Sequence, residues 1–182
     1  MPADGPALDP IWEAHRQWTA HGWEASADGM AMVTSLVRVQ QLLLDRIDGV
    51  LRPLGLTFAR YEVLQLLAFT RRGALPMTRL GSLLQVHPTS VTSAVDRLQK
   101  QGFVTRVRDD GDRRVVRASL TDAGREVVDQ ATAGLNARVF ERVGVDKPTV
   151  HALIADLARL RGALGDPVAP FDVDPSAAVH SD

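Results

Sequence analysis

The chain has no cysteine among its 182 residues. That excludes a disulfide framework, a thiolate metal site and cysteine nucleophiles. Aromatic residues are scarce, nine in all, and the three tryptophans fall before residue 24. No apolar run approaches the roughly 20 residues that span a bilayer, so no membrane partner is expected. The opening MPADGPALDP has neither a basic patch nor an apolar core, so a signal peptide is not expected and a cytoplasmic location is. No Gly-rich phosphate loop, paired-carboxylate motif or Ser-His-Asp order stands out. The expectation is therefore a protein that is not an enzyme, with no catalytic residue, metal or cofactor.

What is present is a globular composition, 45% hydrophobic and 24% charged. Net charge is only −1, but it is unevenly placed. Arg71 to Arg117 holds 10 of the 21 Lys and Arg but only 4 of the 22 acids, a balance of +6 against −7 for the flanks. A basic middle between acidic flanks points to a polyanionic partner.

Residues 1–9 are expected to be a mobile leader. Pro10 to Ala25 predicts an extra helix capped by Asp9, followed by a polar break at Ser26–Gly29. Met30 to Leu54 carries an i, i+3, i+4, i+7 ladder through Val33, Leu36, Val37, Leu43, Leu44 and Ile47, with Met32, Val39 and Leu42 off the stripe. A helix apolar on more than one side must bury more than one side. Helices are further predicted over Arg60–Thr70, Thr78–Gln85 and Pro88–Gln101. Then the period changes. Phe103–Arg108 and Val115–Leu120 alternate around the polar DDGDRR, which predicts a β-hairpin. Thr121 or Asp122 caps a helix to about Val143, and Asp146 caps a last one. Residues 166–182 look like a tail.

A helix, a tight turn, a second helix and a hairpin in this order make a winged helix-turn-helix. The fold class expected is mainly α with a small β-hairpin wing on a helical dimerisation scaffold. The helix beginning at Pro88 turns Val91, Ala94, Val95 and Leu98 inward and Thr89, Ser90, Thr92, Ser93 and Arg97 outward. Short hydroxyls and an arginine there suit base edges and phosphates in a major groove. An ordinary amphipathic core helix explains the same pattern. The hairpin favours the nucleic-acid reading, because Arg106, Arg108, Arg113, Arg114 and Arg117 gather on one ribbon. A cationic tip can enter a narrow minor groove.

The run from Leu80 to Gly124 resembles the MarR family of bacterial transcription regulators. The residues that carry the resemblance are Ser90-Val91-Thr92, then Arg97-Leu98 with Gly102, Val104 and Arg106, then Asp112-Arg113-Arg114, then Leu120-Thr121 with Gly124. The likeness extends over about residues 30–165. It implies a homodimer, with 30–56 and 122–165 as dimerisation helices and 57–121 as the winged module, binding a pseudo-palindromic duplex. It implies that Arg114 enters the minor groove and that Asp112 orients a wing arginine. Thr89, Ser90, Thr92, Ser93 and Arg97 lie where the family reads the major groove or holds phosphate. Ser90 is often threonine in the family and Ser93 often arginine, a departure that bears on which bases are read.

The tryptophan-bearing N-terminal segment, residues 10–29, is more weakly similar to the urate-responsive branch of the family. Trp18 matches that branch's tryptophan and Glu62 falls at its pocket aspartate. Ala94 falls near its pocket arginine, and an alanine cannot pair with an anionic purine. A ligand pocket walled by Trp18, Trp23, Met30 and Glu62, taking a small aromatic or apolar acid, is the sharper reading of the extra helix. Simple packing by the tryptophans is the plainer one. The five histidines read as surface or capping residues.

The expected function is a ligand-released repressor. The alternatives are a dimeric scaffold whose winged domain binds protein, and an architectural DNA binder without sequence preference.

Overall fold

The computed structural model describes residues 9–108 and 114–169. The leader through residue 8, the wing tip with Asp112 and Arg113, and the tail from residue 170 lie outside the described residues. The chain divides into two units, residues 1–141 and 142–182.

The first unit opens with α1 (Pro10–Ala20). Asp9 caps it by accepting from the Ile11 amide at 2.9 Å, and Pro10 occupies the first turn. The break then comes at His21–Trp23, earlier than the Ser26–Gly29 expected. Gly22 takes φ +79°, the left-handed conformation that ends a helix without a side-chain penalty. Ser26–Gly29 instead lie within the first turns of α2 (Glu24–Leu51). Helix α1 folds back on α2, where His15 Nε2 meets Asp28 Oδ1 at 2.8 Å. A 3-10 turn (Arg52–Leu54) and Gly55 at φ +68° close α2, with the Leu56 amide donating to the Leu51 carbonyl at 3.1 Å.

Helices α3 (Phe58–Ala68), α4 (Met77–Leu84) and α5 (Pro88–Lys100) follow, close to the predicted spans. The hairpin is β2 (Val104–Arg108) with β3 (Val116–Leu120). A third strand was not foreseen. β1 (Ala74–Pro76) pairs antiparallel with β3, Leu75 opposite Ala118, giving the order β1-β3-β2. Helix α6 (Asp122–Leu135) runs on into a π turn (Asn136–Phe140).

One core joins the lower end of α2 to the winged module. Leu51, Leu64, Leu67, Leu80, Val95, Leu98, Ala118, Val128 and Leu135 are fully buried in it. Each such leucine contributes about 1.5–3 kcal/mol of transfer free energy. The joint between wing and α6 is tight. Thr121 Oγ1 donates to the Gly102 carbonyl at 2.7 Å and accepts from the Gly124 amide at 3.0 Å. A Cβ on Gly124 would lie 2.0 Å from the Phe103 carbonyl oxygen, so only glycine fits.

The upper part of α2 is different. Met32, Val33, Leu36, Val37, Val39, Leu42 and Leu44 are exposed within the single chain.

The second unit is α7 (Lys147–Ala163), capped by Asp146, whose Oδ1 accepts from the Thr149 amide at 3.1 Å. Hydrogen bonds from the Thr149 side chain and amide hold the Asp146 carboxyl below its ordinary pKa. Leu153, Leu157 and Leu164 are exposed. Among the described residues, no helix is long and apolar enough to cross a membrane.

Candidate nucleic-acid interface

Helix α5 starts where the sequence lets it start. Pro88 supplies a preset φ at the first helical position, and His87 caps from outside. The His87 ring nitrogen Nδ1 accepts from the Thr89 amide at 3.3 Å and lies 3.0 Å from Thr89 Oγ1. A histidine in this turn is therefore a capping group. Burial of Val91, Val95 and Leu98 fixes the rotation of the helix about its axis. That rotation leaves Thr89, Ser90, Thr92, Ser93 and Arg97 exposed, all five of the outward residues expected.

Four of those five share a groove. Thr89, Ser90, Ser93 and Arg97 line it with Ala94, and the opposite wall is the start of α3, with Thr57, Ala59 and Arg60. The groove holds a helix N-terminus, three hydroxyl groups from α5 and two guanidinium groups, and no acidic residue lines it. This is a surface for an anion.

Thr92 faces the neighbouring side. There the wing meets the helix, and Arg106 of β2 pairs with Asp96 of α5 at 2.5 Å. Its other terminal nitrogen reaches the Thr92 carbonyl at 3.4 Å. The sequence placed Arg106 among the DNA contacts. In the structure it also ties the ribbon to α5, a tie that needed Asp96 one turn below Thr92 to be seen. Arg114 is exposed on the described side of the wing tip, and Arg117 of β3 stands opposite Val107. Asp112 and Arg113 fall outside the described residues.

The residues expected to wall a ligand pocket are not brought together within one chain. Trp18 and Trp23 meet edge to face with ring centres 5.3 Å apart, at the α1–α2 corner. Met30 lies near the start of α2. Glu62 lies on α3, beside a hollow of about 240 Å³ lined by Phe58, Tyr61, Gln65, Leu66, Leu84 and Phe140. No residue of α1 lines that hollow. Phe58 and Tyr61 stack with ring centres 6.2 Å apart. Tyr61 Oη is 3.2 Å from Thr132 Oγ1, which donates onward to Gln65 Oε1 at 2.8 Å. Partial burial pushes the Glu62 carboxyl up from its ordinary pKa. The sequence could not show this hollow, because α3, α4 and the π turn supply its walls from three separate stretches.

The two histidines near the N-terminus also have structural partners. His15 stacks on Trp12 and meets Asp28, and His21 Nδ1 lies 2.8 Å from the Gln17 carbonyl. Among the described residues no three His, Asp or Glu side chains form a metal-ligand cluster.

Residues 56–116 match the model of the MarR family. Over 77% of its length the chain resembles Sco5413, a MarR family transcriptional regulator from Streptomyces coelicolor. Identity is 46%, the TM-score is 0.68, and the match covers 99% of the solved chain. It also resembles CouR from Rhodococcus jostii RHA1, solved bound to p-coumaroyl-CoA. There identity is 25% over 76% of this chain and 95% of CouR, with a TM-score of 0.63. CouR is described as a transcriptional repressor in a second structure, on a 23-mer DNA duplex. The HTH-type transcriptional regulator PecS of Dickeya dadantii is 32% identical over 113 residues, 60% of this chain and 66% of PecS. The chain thus spans slightly less than two thirds of that curated relative.

Proposed function

Since the chain belongs to the MarR family of DNA-binding transcription regulators, we propose that it is a cytoplasmic homodimer that holds a pseudo-palindromic operator and represses until a small ligand releases it. The observation that carries the DNA reading is the acid-free groove along α5, with hydroxyls near the helix N-terminus and arginines on both walls. Base contacts would come from Thr92 and Ser93 and phosphate contacts from Thr89, Ser90 and Arg97, while Arg114, with Arg113, would reach the adjacent minor groove. Asp112 would orient an arginine of the wing.

The homodimer is supported by the exposed apolar stripe of α2 and by the exposed leucines of α7. Such faces are unusual on a monomer and ordinary at a two-fold interface. Two reading helices would then lie about one turn of DNA, roughly 34 Å, apart. A ligand that favours another spacing releases DNA in proportion to its preference for that state.

The hollow beside Glu62 is the place for such a ligand within one chain. Its stacked aromatic wall suits an aromatic ring. An aromatic acid suits it while Glu62 is protonated, the state that burial favours, whereas a phenol or an amine suits the carboxylate as well. The tryptophans of α1 then serve to pack α1 on α2. A relative solved with an acyl-CoA supports ligand response as a family property this chain could share.

A salt series on a labelled duplex tests the core of the reading. Expected is a dimer-sized particle, a protected near-palindrome in a footprint, and affinity that falls linearly in log–log form with salt. A protein-binding scaffold predicts no salt-dependent duplex binding, and an architectural binder predicts no preferred site.

A further inference from the structure

We propose that Arg60, outside both the reading helix and the wing, is a phosphate contact of the DNA interface, and that Gln101 holds it in position. The proposal rests on the DNA-binding reading above.

Arg60 is the third residue of α3, on the wall of the groove that faces Ser90, Ser93 and Arg97. Two of its three nitrogens are fixed. Nε donates to Thr57 Oγ1 at 3.2 Å and Nη1 donates to Gln101 Oε1 at 3.0 Å. Gln101 in turn donates its Nε2 to the Gly55 carbonyl at 2.9 Å, so its amide oxygen is turned toward Arg60. The brace therefore joins the end of α2, the start of α3 and the end of α5. Gly55 makes room for it, since a Cβ there would lie 3.1 Å from Gln101 Nε2.

Both acceptors are neutral. No carboxylate pairs with Arg60 among the described residues, whereas Arg106 has Asp96 and Arg16 has Glu13. Neutral acceptors orient a guanidinium but leave its charge unmet within the chain. Arg60 is partly buried, oriented, and left with its charge and the Nη2 donors uncommitted at the rim of an acid-free groove. Planar, always-charged forks of this kind match phosphate oxygens. Because the fork is already ordered, little conformational freedom remains to be lost on binding. A contact to phosphate adds affinity and register without reading sequence.

The test is a salt series on operator and random duplexes with wild type, Arg60→Gln, Arg60→Lys and Gln101→Leu, each checked for fold by circular dichroism. Arg60→Gln is expected to weaken both duplexes by about tenfold at low salt and to lower the log–log salt slope by about two for a dimer. Arg60→Lys should keep the slope. Gln101→Leu should weaken both duplexes by a common factor of about three with the slope intact, and it keeps the question open to refutation if Arg60→Gln does not fold. A folded Arg60→Gln with the wild-type slope overturns the proposal, whatever its affinity. If that variant is unfolded, unchanged affinity in Gln101→Leu overturns it. Wild-type protein that binds no duplex overturns the DNA-binding reading instead.

Discussion

Helices α2 and α5 are both amphipathic, and they treat their outward faces in opposite ways. Above Ile47, α2 exposes valines, leucines and a methionine; α5 exposes threonines, serines and an arginine. The lower end of α2 and the inward face of α5 are closed by the same core. The difference lies in what each outward face lacks. The α2 face lacks apolar area to cover it, which the second copy of the proposed dimer would supply. The α5 face lacks an anion, which the proposed duplex would supply. A helix thus declares its partner by the chemistry it leaves unmet, and in the proposed reading the two faces divide dimerisation from DNA recognition.

Placing a charge in the α2 stripe should break that division most severely. Leu36→Asp would have to bury a carboxylate at the proposed two-fold, a penalty of roughly 3 kcal/mol or more, so the dimer constant should worsen over about 100-fold. Sedimentation velocity would show monomer at micromolar concentration, and operator affinity would fall with it. An unchanged dimer would place the two-fold elsewhere.

Gly124→Ala attacks the other side of the comparison, the module that carries α5. Its methyl meets the Phe103 carbonyl, so we expect a loss of about 3 kcal/mol. In thermal unfolding, a loss below about 1 kcal/mol would mean that the wing joint yields easily. Arg114→Ala should leave stability alone, weaken operator binding by about tenfold and lower the salt slope by about one per chain. An unaltered titration would remove Arg114 from the interface. Smallest in affinity is Ser93→Ala, expected within about threefold of wild type but with a shifted consensus in a binding-site selection. An identical consensus would make Ser93 a phosphate contact.

How much of this was legible in the sequence depends on the range of the interaction. The spans of α3 to α5, the Asp9 and Asp146 caps and the alternating ribbon all act within a few residues and lie close to where the sequence predicts them, and of the two caps it offers before α6 the structure uses Thr121. Ser, Asp and Gly at 26–29 look like a loop, so the sequence predicts the end of α1 too late. The chain turns instead at Gly22, where the φ needed is positive and the tryptophans of the corner can meet. Strand β1 was missed because three residues carry no period, and only β3 makes them a strand. The π turn at Asn136–Phe140 has no pattern that marks it. Arg106 and Arg60 carry the same charge in the sequence, yet one faces Asp96 and the other Gln101 and Thr57, a contrast created by contacts 10 and 41 residues away.

In the proposed complex the Arg106–Asp96 pair would make the ribbon and α5 a single bivalent grip. When one part let go of DNA, the other would keep it nearby at a high effective concentration, and rebinding would outrun escape. Cutting the tether with Asp96→Asn would leave both gripping surfaces intact. Its mark would be a shorter residence time on the operator, with the rate of first encounter hardly changed.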